Sequence, residues 1–352
     1  MKQQQILNEI TAPLLYWYQG AARDLPWRRD PSPYHVWISE IMLQQTRVEA
    51  VKGYYARFLE AFPSVEALAA ADDDALNKVW QGLGYYSRAR NLKKAAAVLV
   101  RDYGGKLPDD HGALLGLPGV GAYTAGAISS IAFGRPTPAV DGNVLRVVTR
   151  LCAEDADITK QTTKDDVTAA LAAVYPQTAD EASMMTQALM ELGATVCVPN
   201  GAPHCADCPL TSVCLAHAAG NELQYPNKPP KKGRTVTEKT VFLLRCGDRY
   251  AIRKRPSSGL LAGLWEFPAL DEKLDADGAL SYLADCGLAV TSLAQLPDAK
   301  HIFTHIEWHM NGFIAEAAAE HADFVWADAE EIRRTYSIPS AYKAYLALLE
   351  ET

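Results

Sequence analysis

Between Leu117 and Asn143 the chain carries the pattern that most limits how it can fold. It reads L-P-G-V-G-A-Y-T-A-G-A, then a run ending in A-V-D-G-N-V. Gly119 and Gly121 lack a Cβ, so the backbone amides around them can face outward and admit a close partner. A helix expected from about Ala122 points its unpaired N–H groups and the positive end of its dipole the same way. This makes a seat for an anion such as a phosphate, with the carboxyl of Asp141 following about two turns beyond the helix. An ordinary turn between two core helices is the commoner source of a bare Pro-Gly-x-Gly. The remainder of the chain decides between them.

A chain of 352 residues exceeds what one core usually serves, so two domains are expected. Apolar residues recur at helical spacing over 6–18, 36–58, 65–80, 89–103, 122–133, 143–151, 163–174 and 182–196. Residues 1–223 therefore read as a mostly α domain. From 224 to 238 the chain turns Pro- and Lys-rich (Q-Y-P-N-K-P-P-K-K-G-R), which reads as a basic linker. Beyond it, strands are expected at 241–246, 250–254, 265–267 and 302–310, with Gly247-Asp248-Arg249 turning a hairpin. Helical patterns return at 279–286 and 341–349, so residues 239–352 read as a small α+β domain.

The net charge of −8 at first speaks against nucleic acid. It is uneven: −4 over residues 1–220, +3 over 221–240 and −7 over 241–352. Basic side chains cluster at Arg88, Arg90, Lys93 and Lys94, and at Lys228, Lys231, Lys232 and Arg234. Local potential, not the total, governs contact with phosphates. The opening decapeptide is polar, without the apolar core of a secretory signal, and no apolar run is long enough for a membrane span. A cytosolic, soluble monomer of bacterial type, working at the nucleoid, is the expectation.

Four of the seven cysteines lie within eighteen residues, as Cys197, Cys205, Cys208 and Cys214 in a C-x7-C-x2-C-x5-C pattern. A disulfide framework is disfavoured in a reducing compartment. Zinc usually takes paired knuckles, and only one C-x2-C is present. Four thiolates in a loop closing on one knuckle suit a cubane iron–sulfur cluster better, with zinc and unligated thiols as the other readings. Cys152, Cys246 and Cys286 stand alone in apolar patterns and read as buried bystanders.

The glycine hairpin, the acid that follows it and the four-cysteine loop together resemble the helix-hairpin-helix DNA glycosylase superfamily. Within it, the block from Leu25 to Val48, with its core W-I-S-E-I-M-L-Q-Q-T, resembles the adenine DNA glycosylases of the MutY type over nearly the whole chain. Glu40 sits among Trp37, Ile38, Ile41, Met42 and Leu43, so desolvation should raise its pKa toward neutrality. Releasing adenine needs a proton for the leaving base and an anion to meet the developing sugar cation, and two carboxylates in different environments supply both. The resemblance implies Glu40 as the acid at adenine N7 and Asp141 as the ionised partner, with Asn143 holding Asp141 and the water. A helix-surface glutamate and an aspartate that merely caps the D-G-N turn are the plainer readings of these two.

The resemblance also places Tyr123 where a related endonuclease carries a lysine that attacks the sugar. Without that amine a strand-cutting step lacks its nucleophile, so the expectation is a monofunctional enzyme that leaves an abasic site. Flipping the base requires side chains that fill the gap. Gln45 with Thr46, and Leu83 with Tyr85, match those positions, while Arg88 suits a phosphate contact or a solvated helix face. Arg28 and Gln187 match positions that line the adenine pocket. Beyond residue 239 the resemblance is to the family's nudix-like domain, which reads oxidised guanine on the opposite strand. The matching segment is Phe303-Thr304-His305, with Thr304 where serine is commoner. No Arg-Glu dipeptide occurs anywhere, so a working nudix box is absent. A metal site from His301, His305 and His309 is the other reading of that segment.

These expectations amount to a [4Fe-4S] enzyme acting on double-stranded DNA with A:8-oxoguanine or A:G mispairs, and no membrane role. The rivals are an endonuclease-type glycosylase and lyase for oxidised pyrimidines, and a non-catalytic damage-binding protein. One departure from the family stands out: its cluster loop usually has six residues between the first two cysteines, and this chain has seven, Val198 to His204.

Overall fold

The computed structural model describes residues 2–230 and 233–349. Its contacts divide into two compact units, residues 1–70 with 90–230, and residues 71–89 with 231–352. Lys231 and Lys232 of the basic run lie outside the described residues.

The first unit is helical throughout, but several expected helices are divided. Residues 6–18 form two helices, Lys2–Asn8 and Thr11–Ala21. Pro13, in the first turn of the second, has no N–H to continue a helix from the residues before it. Residues 36–58 divide into Pro33–Leu43 and Val48–Ala61. The break falls at Gln45, whose φ of 57° is left-handed although neither Gly nor Pro marks the spot. The pattern expected over 65–80 divides as well, and its second part belongs to the other unit: Asp72 starts the helix Asp73–Trp80 by accepting from the amides of Asp74 and Ala75 at 2.9 and 3.1 Å.

Two helices organise the core of this unit. Gly142–Cys152 is buried along Val144 to Leu151, and Ala179–Thr195 packs beside it. Their approach is close because Gly193 has no side chain; a Cβ there would lie 2.6 Å from the Cβ of Asn143. The helix expected over 122–133 is α only through Ala127 and continues as a π turn, Ile128–Ala132. There the Ser130 hydroxyl donates to the Gly126 carbonyl at 2.9 Å and accepts from Thr186 at 2.7 Å.

The second unit is built on a seven-stranded sheet: β1 Thr235–Cys246, β2 Arg249–Lys254, β3 Trp265–Glu266, β4 Ala269–Leu270, β5 Val290–Ile302, β6 Ile306–Ala317 and β7 Val325–Asp328. The order is β3-β2-β1-β6-β5, with β4 against β1 and β7 against β2; β1 and β6 run parallel and the other pairs antiparallel. β1 begins at Thr235, inside the stretch read as linker. Along it, Val241 and Leu243 enter one hydrophobic cluster and Phe242 and Leu244 another, so the central strand is covered on both faces. Gly247 at φ 64° and Asp248 make the two-residue turn to β2.

Residues 302–310, expected as one strand, instead hold a hairpin turn: β5 ends at Ile302, β6 starts at Ile306, and Phe303 N–H donates to the Ile306 carbonyl at 2.8 Å. The expected helix at 279–286 runs from Ala276 to Asp285, and that at 341–349 runs from Lys343 to Leu348 behind a 3-10 turn. Among the described residues no helix is long and apolar enough to cross a membrane.

Candidate active site

A cleft of about 920 Å³ in the helical unit gathers residues from well-separated parts of the chain. Glu40, Gln44, Gln45 and Thr46 come from the Pro33–Leu43 helix and the break after it. Gly121 and Tyr123 come from the hairpin and the helix after it, Asp141 and Asn143 from the start of the Gly142–Cys152 helix, Arg28 from the short Pro26–Arg29 helix, and Gln187 and Glu191 from the Ala179–Thr195 helix.

Glu40 is 4% exposed, and burial is the main cause that lifts its pKa to about 7. The Tyr123 hydroxyl, which donates to Oε2, and the nearby Arg28 cation oppose that rise, while the Asp141 charge adds to it. Tyr123 itself is pushed well above 10 by burial and by the two carboxyls, so it stays a neutral phenol and a donor. Asp141 caps its helix: Oδ1 accepts from the amides of Asn143 and Val144 at 2.9 and 2.8 Å, and Oδ2 accepts from Asn143 Nδ2 at 2.7 Å. It is both the cap and an acid facing the cleft. Burial raises Asp141 above the ordinary aspartate value, against those hydrogen bonds and the Arg146 cation. The Asp141 charge is in turn among the causes that raise Glu40.

The hairpin matches its sequence pattern. Leu117 and Val120 are buried, Gly119 and Gly121 exposed. Gly119 has φ +76°, and a Cβ there would meet Asn91 at 2.6 Å; at Gly121 no protein atom lies within 4 Å of that position. The amides near Gly121 can therefore be approached from outside.

Several residues that sequence reasoning passed over complete the site. Glu191, 1% exposed, accepts from Arg23 at Nε, 2.6 Å, and from Arg28 at Nη2, 2.8 Å. Arg146, also buried, donates to Asn143 Oδ1 at 2.9 Å, to the Gly193 carbonyl at 2.6 Å and to the Cys197 carbonyl at 2.7 Å. One turn on, Arg150 donates to Cys197 Sγ at 3.2 Å and to the Val198 carbonyl at 3.0 Å. An arginine inside an apolar helix pattern is the sequence signal for both, since it needs buried acceptors.

Cys197, Cys205, Cys208 and Cys214 line one cavity with Val147, Leu151 and Leu210. Burial raises the thiols of Cys205, Cys208 and Cys214, and Cys205 reaches about 11. The longer loop closes on itself through His204 N–H to the Val196 carbonyl at 2.9 Å. Among the described residues, three potential metal donors converge within 4.8 Å only at Cys205, His217 and Glu222. His301, His305 and His309 do not converge. Cys152 and Cys246 are half-buried and Cys286 is exposed, so none of the three lone cysteines has the full burial expected of it.

The remaining expected contacts lie in the second unit. Tyr85, at φ 47°, shares a hydrogen bond of 2.6 Å with the Thr304 hydroxyl, and both are exposed. Thr304 and His305 form the tip of the β5–β6 turn, while Phe303 anchors it edge-on against Trp308 at 4.9 Å between centroids. Leu83 is buried at 7% exposure and is not presented as a wedge. Arg88 is also buried: it donates to the carbonyls of Leu83 and Gly84 at 3.1 Å and lies over the Trp80 and Tyr85 rings. It braces the Gly82–Tyr86 loop.

Residues 38–173 match the model of the HhH-GPD superfamily of base excision DNA repair proteins, and residues 240–348 match a NUDIX domain. The human adenine DNA glycosylase is 37% identical over 85% of this chain and 66% of its own length. The relatives of the same name in Schizosaccharomyces pombe and Buchnera aphidicola are 31% and 32% identical, over 88% and 83% of their lengths and 96% and 85% of this chain. Among solved structures, a thermostable thymine-DNA glycosylase is similar at a TM-score of 0.55 and 27% identity, covering 61% of this chain and 98% of that one. An endonuclease III in a non-covalent DNA complex is similar at 0.52 and 26%, covering 62% and 97%. With a helix-hairpin-helix unit, a nudix-like α+β unit and relatives of one name across most of its length, the chain belongs to the adenine DNA glycosylase family.

Proposed function

We propose that this protein hydrolyses the N-glycosidic bond of adenine paired with 8-oxoguanine or guanine in double-stranded DNA, leaving an abasic site and an uncut strand. The observation that carries the reading is one cleft holding two carboxyls in unlike settings. Glu40 is buried with a pKa of about 7, and Asp141 is fixed by three hydrogen bonds. Glu40, protonated, gives its proton to adenine N7 and weakens the bond to the sugar. Asp141, ionised, meets the positive charge that grows on the sugar, and Asn143 keeps its carboxylate aimed. Tyr123 holds Glu40 by its phenol and offers no amine to the sugar. Lys164 also lines the cleft, so borohydride trapping asks directly whether that amine reaches C1′.

Gln45, a non-glycine residue with left-handed backbone, is the side chain we assign to the gap left by the flipped base. Thr304 and His305, at an exposed turn anchored by Phe303, are assigned to the partner base.

Cys197, Cys205, Cys208 and Cys214 would hold a [4Fe-4S] cluster. A single tetrahedral zinc would draw four sulfurs to about 3.8 Å from one another. No three of these sulfurs form such a group, and a shared cavity with wider spacing suits a cubane. When bound, the cluster supplies four thiolate bonds that tie this loop together beside Arg146 and Arg150. The test of the function is single-turnover release of adenine by the wild type, Glu40→Gln and Asp141→Asn; equal rates in all three contradict it.

A further inference from the structure

Past the last cysteine of the loop the chain reads C-L-A-H-A-A-G-N-E, and the backbone there folds back on itself. The short helix Leu215–Ala218 carries His217, and Gly220 turns the chain at φ +64°. Gly220 N–H donates to the His217 carbonyl at 3.0 Å, and Asn221 N–H to the Ala216 carbonyl at 2.9 Å. The turn sets Glu222 against His217, whose Nδ1–H donates to Glu222 Oε1 at 2.6 Å. Arg150 fixes the backbone of the same residue, through Nε on the Glu222 carbonyl at 3.0 Å. Cys205 Sγ donates to Glu222 Oε1 at 3.6 Å, so one sulfur, one imidazole and one carboxylate lie within 4.8 Å of one another.

Cys205 also differs from its three companions. Cys197, Cys208 and Cys214 pack against the core of the helical unit, and Cys205 is not among the described residues that do. Its neighbours Ala206 and Asp207 are exposed, and the His217 side chain keeps 40% of its surface in solvent. His217 and Glu222 line the same cavity as the four cysteines. A thiolate, a carboxylate and a neutral imidazole carry two negative charges, which balance one divalent cation. A mixed sulfur, nitrogen and oxygen set suits iron(II) better than calcium or magnesium. Shifts on the order of 1 Å bring three such side chains onto one ion with metal–ligand bonds of about 2.0–2.3 Å.

We propose that Cys205, His217 and Glu222 form a mononuclear iron(II) site that shares one cysteine with the cluster and holds the iron the cluster sheds at that corner. A one-electron oxidant converts [4Fe-4S]2+ into [3Fe-4S]+ and Fe2+, and takes up the electron released. The departing iron breaks its three bonds to sulfide, keeps the Cys205 thiolate, and gains His217 as neutral imidazole and Glu222 as carboxylate. A one-electron reductant reverses the step: the iron remakes its bonds to sulfide and releases His217 and Glu222. The loop thus passes through oxidation without losing iron to solvent. The proposal rests on the cluster reading of the four cysteines.

The experiment treats purified protein, enriched in a Mössbauer-active iron isotope, with ferricyanide under nitrogen, desalts it, and then adds dithionite without iron. Oxidised wild type should show the [3Fe-4S]+ electron paramagnetic resonance yet keep about four irons per chain through desalting. The fourth iron should give a high-spin ferrous Mössbauer doublet, and reduction should restore the four-iron spectrum. His217→Ala and Glu222→Gln should start with about four irons, fall to about three after oxidation and desalting, and recover only when iron(II) is supplied. Wild type that falls to three irons, or variants that keep and return the iron as wild type does, overturn the proposal. So does an oxidised wild type without the three-iron resonance. Should the variants not fold, the wild-type doublet decides alone, and its absence after desalting overturns the site. Protein purified with zinc and no iron refutes the cluster reading and this site with it; a four-iron protein that sheds its iron refutes only the site.

Discussion

The phenol of Tyr123 donates to the carboxyl of Glu40, and the two residues come from helices more than eighty positions apart in the chain. Burial holds the Tyr123 proton in place and lifts Glu40 to about 7, so the pair keeps an acid protonated close to neutral pH. Two consequences can be measured.

In the proposed mechanism, base release needs the protonated form of Glu40. Its rate should therefore fall as pH rises through about 7, and Glu40→Gln should lower it by at least about a thousandfold below pH 7, with the deficit narrowing above it. The same shift acts on stability. The folded protein binds this proton more tightly than the unfolded chain does. The stability is thus intact below the unfolded value of 4.5 and is lost as pH rises through about 7. Glu40→Gln has no charge to desolvate, so at pH 8 it should unfold later than wild type, by about 3 kcal/mol, and the gain should vanish near pH 4. Equal stability curves would show that burial does not cause the shift.

Asp141 and Gly193 separate chemistry from packing. Asparagine caps a helix about as well as aspartate, so Asp141→Asn should keep its melting temperature while base release drops at least about a hundredfold. Gly193→Ala would bring a methyl to 2.6 Å from Asn143 Cβ. It should cost about 1–3 kcal/mol and slow release by displacing Asn143 from Asp141. An Asp141→Asn variant of wild-type rate would leave that residue with its cap role only.

Purified protein should be brown, with iron and sulfide near four each per chain. Arg150→Gln removes the donor at Cys197 Sγ and should raise the rate at which a chelator strips the iron. Arg146→Met removes the link between the Cys197 carbonyl and Asn143, so it should lower iron retention and base release together. One zinc per chain with no iron would defeat the cluster assignment.

Thr304→Val keeps the shape of the turn tip and removes its hydroxyl, along with the hydrogen bond to Tyr85. The advantage of 8-oxoguanine over guanine opposite adenine should shrink by about tenfold, with the A:G rate nearly unchanged. An unchanged ratio would remove Thr304 from lesion reading.

The burial of Glu40 was legible in its apolar helix and the cap of Asp141 in the Gly-Asn helix start, whereas their pairing in one reaction was read from the family resemblance. The break at Gln45 was not, since a left-handed backbone at a glutamine has no local marker and depends on what packs around it. Glu191 and Arg146 were missed for a related reason: their partners, Arg23, Arg28 and Cys197, lie many residues away, and only the fold brings them together. Arg88 was read as a phosphate contact or part of a solvated helix face, and a basic run gives no sign that the side chain will be buried over Trp80. The β5–β6 turn was read as a strand over Ile302 to Met310, and the tip shows only in the hydrogen bonds that fold it back.

The most direct measurement is a single-turnover assay on a duplex with one A:8-oxoguanine pair, run with and without borohydride. The account predicts free adenine, a strand that breaks only on alkali treatment, and no crosslinked protein. A borohydride-stable protein–DNA crosslink in high yield, or an intact adenine after many protein equivalents, would contradict it.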